Sequence, residues 1–150
     1  MHVSDFCTRS VVTCRRSTPA VELARAMRDR HVGDVVVVDD HDGGVRPVGI
    51  VTDRDLAVRV MANGFNPERF VAEDMMQPNL VTAFGSETAF DVIWNMRTHG
   101  IRRLPVVDVH GLLIGIVTAD DVSAFLGQEL TALSRVAPRQ VEREQARENA

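Results

Sequence analysis

No apolar stretch in this chain of 150 residues approaches the roughly 20 residues that a membrane helix needs. Met1 to Ser10 carries polar residues throughout and lacks the apolar segment of a secretory leader. A cytoplasmic protein with no membrane partner is therefore the expectation. The length excludes a second large domain, because it supplies one core, or two half-size units that share one.

Basic charge is scarce too: Lys plus Arg number 17 against 21 for Asp plus Glu, a formal net charge of -4, with no long basic run. Nucleic acid is accordingly a poor partner. Cys7 and Cys14 are the only cysteines, and their spacing, with no histidine pair nearby, matches no zinc site. Both read as structural thiols, with a redox disulfide left open. The five histidines, at 2, 31, 41, 99 and 110, are scattered, so no metal site is expected. Walker-type loop, Gly-x-Ser-x-Gly elbow and His-Cys cluster are all missing, so the chain is not expected to be an enzyme.

What the chain does contain is an internal repeat. A shift of 69 positions sets Asp5 on Asp74, Val12-Thr13 on Val81-Thr82, Ala20 on Ala89, and Met27-Arg28 on Met96-Arg97. The same shift sets Val37-Val38-Asp39 on Val106-Val107-Asp108. After an insertion of three residues within Asp40 to Pro47 the shift becomes 66, and Gly49-Ile-Val-Thr52 falls on Gly115-Ile-Val-Thr118, with Asp55 on Asp121. An ordered series with one insertion in a turn-like stretch signals a duplicated unit.

Each copy reads as β-α-β-β-α. Short strands are expected at Val11 to Thr13 and Leu80 to Thr82. A helix follows, with Thr18 as cap and Val21, Ala24 and Met27 as apolar stripe in the first copy, and Phe90, Ile93 and Trp94 as stripe in the second. The runs Val35 to Val38, Val48 to Val51, Leu104 to Val107 and Leu113 to Val117 read as strands, and without alternation they should be buried on both faces. The last helices start after Thr52 and Thr118 and are expected to stop near Asn63-Gly64 and Gly127. Residues 3–64 form the first motif, 65–70 a linker, 71–127 the second motif, and 128–150 a charged tail, either a solvated helix or disordered. Met75-Met76 and Trp94 suit core or dimer packing.

Gly49-Ile-Val-Thr-Asp-Arg-Asp55, Gly115-Ile-Val-Thr-Ala-Asp-Asp121 and Ile101-Arg-Arg-Leu-Pro-Val-Val-Asp108, in register within these elements, resemble the CBS motif of cystathionine beta-synthase and many regulated proteins. The resemblance covers roughly residues 3 to 126. It implies a stand-alone tandem CBS protein of α/β class (α+β type), its two motifs packed sheet to sheet in a pseudo-twofold module. It also implies a homodimer, no catalytic cofactor, and a regulatory ligand such as AMP, ADP, ATP or S-adenosylmethionine. With no effector domain in view, the expected protein target is a separate one.

A carboxylate can accept both hydroxyls of a ribose diol, and a threonine at a helix start can reach a sugar or phosphate. By the resemblance, Thr52 with Asp55 and Thr118 with Asp121 are the candidate pairs. Thr82 and the Arg102 region would complete the cleft of Thr52, and Thr13 and the Gly33 region that of Thr118. Thr followed three residues later by an acid is equally a helix capping box that needs no ligand. Between the paired residues Arg54 stands in one copy and Asp120 in the other, so the Arg54 cleft is expected to prefer a phosphorylated ligand. The alternative function is ligand-independent interaction or assembly, with vestigial clefts.

Overall fold

In a computed structural model, which describes residues 1–77 and 79–148, each repeat builds a three-stranded sheet. The first sheet contains β1 (Thr13–Cys14), β2 (Asp34–His41) and β3 (Gly44–Thr52); the second contains β4 (Ala83–Phe84), β5 (Arg103–Val107) and β6 (Leu113–Thr118). In both, the first strand runs parallel to the middle one and the third antiparallel. The register repeats as well. Val37 opposes Gly49 and Val106 opposes Gly115, and a bulge follows each pairing, with Val48 and Ile114 as the extra residues. The three inserted residues lengthen the first hairpin, whose strands have 8 and 9 residues against 5 and 6 in the second.

The expected burial on both faces is found in the middle strands, Val35 to Val38 and Leu104 to Val107, whereas Val48, Ile50, Leu113 and Ile114 of the third strands are only half-buried. Val35, Val37 and Val51 pack with Leu23, Met27 and Val60 on the helical side. Val36 and Val38 pack with Ile116 on the other, joined by Ile50 and Leu113. This layer joins the two sheets, and each fully buried valine in it contributes about 1.5–3 kcal/mol of hydrophobic stabilisation.

The sequence expectations need five local corrections. The short strands lie later than expected, at β1 and β4, because those residues come alongside Val36-Val37 and Val106-Val107. In α2 (Ala20–Arg30) the buried stripe is Ala20, Leu23 and Met27, while Val21 is half-buried and Ala24 exposed. Pro19, not Thr18, is its N-cap residue; the Thr18 hydroxyl accepts a bond from the Arg15 amide instead. In α5 (Ala89–His99) the buried residues are Ala89, Val92 and Met96, with Ile93 half-buried, whereas Phe90 and Trp94 face outward. Both sets have helical spacing, so period alone does not choose between them. Close approach of a helix to a sheet favours the smaller side chains.

The fifth correction concerns the last helix. The first copy's helix, α3 (Asp53–Asp55) running into a π-helical stretch at Leu56–Met61, is followed as expected by a turn at Gly64, whose φ is +65°. By contrast α6 (Ala119–Ser134) runs straight through Gly127, which has no left-handed backbone. The following Gln-Glu-Leu-Thr-Ala-Leu run sustains a helix. Next comes α7 (Val136–Glu148), whose residues 136–147 are solvent-exposed.

Two short helices are exchanged between the copies. α1 (Val3–Phe6) precedes the first sheet but docks on the second half: the amides of Val3 and Ser4 donate to the carbonyls of Glu87 and Gly85 at 2.8 and 3.0 Å. α4 (Ala72–Met75) precedes the second sheet but docks on the first half, where Ala72 and Glu73 donate to Thr18 and Arg16 at 2.9 and 3.0 Å. Glycines make the approach possible. A Cβ on Gly115 would stand 2.6 Å from Cys7 Sγ, and one on Gly49 would stand 2.8 Å from Met76 Cβ. Met75 is buried, as core packing required, and Met76 is half-buried against Gly49.

Candidate functional site

Both Thr-x-x-Asp pairs stand where an extended strand turns into a helix, and both form complete capping boxes. Asp55 Oδ2 accepts from the Thr52 amide and from Thr52 Oγ1, each at 2.8 Å, while Thr52 Oγ1 accepts from the Asp55 amide at 3.2 Å. Thr118 and Asp121 repeat this at 2.8, 2.7 and 3.2 Å. Thr88 and Asp91, at the start of α5 and outside the two Gly-Ile-Val-Thr-x-x-Asp strings, do the same at 2.8, 2.7 and 3.3 Å. The box is thus a local helix-start device that this fold also uses outside those strings. Each box engages only Oδ2 of its carboxylate.

Asp55 Oδ1 lies 3.8 Å from Arg59 Nε, one turn on, and Arg59 Nη1 donates to the Met75 carbonyl at 3.0 Å. Arg59 thereby ties the motif carboxylate to the docked helix α4. In the second copy its equivalent is Phe125, which stacks on Phe6 of α1 with ring centroids 4.8 Å apart. Sequence reasoning missed this pair, although the shift of 66 already sets Arg59 against Phe125.

Gly33 offers its carbonyl to the Asp53 amide at 3.0 Å, and Arg102 offers its own to Ala119 at 2.8 Å. These bonds associate Gly33 with the Thr52 end and Arg102 with the Thr118 end of the same copy, whereas the sequence grouping set each opposite the other copy. Between the copies the link is an ion pair of Asp34 with Arg103, both mostly buried. A Cβ on Gly33 would lie 3.4 Å from Asp53 Oδ2 and 3.6 Å from Arg103 Nη1, so the strand ends crowd together there. Burial holds the Asp34 carboxyl above its ordinary range, with Arg103 opposing the rise.

Arg54 is exposed, and its amide caps onto Asp53 Oδ1. Asp120 lies 3.6 Å from Arg102 Nη2 in an exposed ion pair that offsets its charge. The two clefts keep the difference between Arg54 and Asp120, but the second is less negative than its sequence indicates. Thr82 is half-buried immediately before β4. Thr13, exposed on β1, borders an open cleft of about 390 Å3 lined also by Cys14, Arg15, Thr18, Glu22 and Val35. Burial pushes the Cys14 thiol up to about 11 and also raises that of Cys7. Among the described residues no three His, Cys, Asp or Glu side chains gather as metal ligands, and no helix is long and apolar enough to cross a membrane.

Comparison with known proteins accords with this geometry. The profile of the CBS domain matches residues 3–62 and 71–127. Protein MK0525 of Methanopyrus kandleri is 39% identical over 120 residues, which are 80% of this chain and 60% of that protein. The L-aspartate semialdehyde sulfurtransferase of Methanocaldococcus jannaschii is 28% identical over 83% of this chain, but only 23% of the enzyme's length is spanned. Among solved structures, the CBS domain pair of protein MJ0100 in complex with 5′-methylthioadenosine and S-adenosyl-L-methionine superposes with a TM-score of 0.74 at 27% identity, covering 86% of this chain and 98% of that one. CBS domain protein PAE2072 from Pyrobaculum aerophilum complexed with AMP gives 0.72 at 25% identity, covering 81% and 89%. With its duplicated three-stranded sheets, its two Gly-Ile-Val-Thr-x-x-Asp corners and the profile match over both halves, this chain belongs to the CBS domain family and carries a CBS domain pair.

Proposed function

We propose that the pair, motif 3–64 with motif 71–127, is a cytoplasmic homodimeric regulatory module that binds an adenosine-containing ligand and signals to a separate protein. The ligand class is AMP, ADP, ATP or S-adenosylmethionine, and no catalysis of its own is involved. The observation that carries this reading is that the capping boxes use only Oδ2 of Asp55 and Asp121, in a fold that binds AMP and S-adenosyl-L-methionine in PAE2072 and MJ0100. Oδ1 of each aspartate can accept a ribose hydroxyl while Oδ2 keeps its helix capped. One cleft uses Thr52, Arg54 and Asp55 with Thr82 and the neighbouring Gly33; the other uses Thr118 and Asp121 with Thr13 and the neighbouring Arg102. Arg54 biases the first towards a phosphorylated ligand.

Calorimetric titration with AMP, ATP and S-adenosylmethionine tests the proposal. Binding to the wild type that is lost in an Asp55→Ala, Asp121→Ala variant of unchanged circular dichroism supports it. Two identical AMP sites contradict the Arg54 preference. The ligand-independent assembly reading has one observation in its favour, the boxes already satisfied without ligand as at Thr88–Asp91. No heat with any of these ligands favours that second reading.

A further inference from the structure

We infer that Arg59 is a positioning residue of the first cleft: it aims the Asp55 carboxylate and ties it to α4, so that ligand held at Asp55 tightens the docking of α4, while ligand held at Asp121 does not. The inference rests on the proposed adenosine ligand and specifies how one of its two clefts is read out.

One guanidinium makes both contacts. Arg59 Nε faces Asp55 Oδ1 at 3.8 Å, and Nη1 donates to the Met75 carbonyl at 3.0 Å. Met75 ends α4, so its carbonyl is among those that a helix leaves without an internal partner, and a basic side chain satisfies it. The planar fork of arginine fixes the angle between the two contacts. Between Asp55 and Arg59 the backbone departs from the ordinary helix: Leu56–Met61 is π-helical, and the Ala62 amide reaches back five residues to the Ala57 carbonyl at 2.9 Å. Turns of this kind recur at functional positions. With side chains 18% and 40% exposed, Asp55 and Arg59 are partly shielded from water and salt.

The second copy is the control. Phe125 stands where Arg59 stands, and Phe6 of α1 where Met75 stands. Their rings stack with centroids 4.8 Å apart, so an apolar contact docks the exchanged helix without a charge. Among the described residues no ion pair includes Asp121. Docking of the short helix therefore does not require an arginine; what Arg59 adds is the link to Asp55. Coupling through such a link is reciprocal: an α4 contact that orients Asp55 for a ribose diol is strengthened by the diol in the same ratio. Asp55 Oδ1 keeps acceptor capacity for that hydroxyl, because its 3.8 Å contact with Arg59 is longer than a hydrogen bond.

Hydrogen exchange of the Ala72, Glu73 and Met76 amides, together with calorimetric titration by AMP, tests the inference on the full chain. With Asp121→Ala leaving only the first cleft, saturating AMP should slow exchange of these amides about fivefold or more. With Asp55→Ala leaving only the second, it should not slow them. Adding Arg59→Met to Asp121→Ala keeps the apolar stem; it should weaken AMP about fivefold or more and abolish the slowing at saturation. A purely structural Arg59 would raise exchange with and without AMP alike and preserve the AMP-dependent slowing. That outcome overturns the inference, as does slowing through the second cleft. If the Arg59→Met variant does not fold, the comparison of Asp121→Ala with Asp55→Ala decides. Where AMP gives no heat with the wild type, S-adenosylmethionine replaces it as the probe. Silence of both overturns the ligand and the coupling together, whereas binding that is indifferent to Arg59 overturns the coupling alone.

Discussion

Asp34 and Arg103 stand 69 residues apart, which makes them the same position of the two repeats, and their side chains form an ion pair with each other. Equivalent residues meet in this way only beside the axis that relates the two halves. Identical charges there would repel, so the repeat must break its symmetry at this position. Asp in one copy and Arg in the other resolves the conflict.

Interchangeability of the two positions gives a double-mutant test. Arg103→Ala leaves the mostly buried Asp34 carboxylate without its partner, and the expected cost is about 1–3 kcal/mol in thermal or urea unfolding. Asp34→Arg alone should also destabilise. The exchange Asp34→Arg, Arg103→Asp rebuilds the pair with its polarity reversed and should recover most of the loss.

The pH dependence of Arg103→Ala has a definite sign. Burial, the dominant cause, holds the Asp34 carboxyl above its ordinary 3.8, and loss of Arg103 raises it further. A carboxyl raised on folding contributes stability that is fully present below the unfolded value and lost as pH rises through the folded one. The deficit of the variant relative to wild type is therefore largest near neutral pH and shrinks on acidification towards about 4. Unfolding curves of both proteins between these limits check this.

Gly49 and Gly115 belong to the motif strings, but their surroundings in the structure are packing contacts with the exchanged helices. Gly115→Ala places a methyl 2.6 Å from Cys7 Sγ and 3.1 Å from the Thr8 carbonyl, and overpacking of this kind costs about 1–3 kcal/mol. Cys7→Ala should relieve part of that cost in the double variant, as should Met76→Ala for Gly49→Ala. A rise in thermal midpoint of each double variant above its single variant is the expected result.

Thr88 is the natural control for the motif threonines. Thr52→Ala, Thr118→Ala and Thr88→Ala each remove a capping hydroxyl of the same geometry and should each cost about 0.5–2 kcal/mol. Ligand affinity, measured by calorimetry, should fall in the first two and stay unchanged in Thr88→Ala. Equal affinity in all three proteins would limit the motif threonines to capping.

Cys14 should be a slow nucleophile. With its thiol pushed up to about 11 by burial, it is almost wholly protonated at pH 8. Its alkylation by iodoacetamide, followed by mass spectrometry in Cys7→Ser, should be many-fold slower than that of free cysteine and accelerate only as pH approaches the thiol's own value.

The sequence by itself determined the duplicated β-α-β-β-α unit, the buried valine strands, the hairpin insertion and both Thr-x-x-Asp corners. Each depends on residues close together in the chain, through period, β-branching or a three-residue capping interval, so it survives without knowledge of distant partners. The tertiary structure alone decided which apolar stripe of α5 turned inward, since Phe90-Ile93-Trp94 and Ala89-Val92-Met96 have the same helical spacing and only the fit against the sheet separates them. It also decided that α1 and α4 exchange halves, that Gly115 is small to admit Cys7, and that Asp34 finds Arg103. These are contacts between surfaces far apart in the chain, and their selection depends on how closely two shapes and two charges can approach after folding.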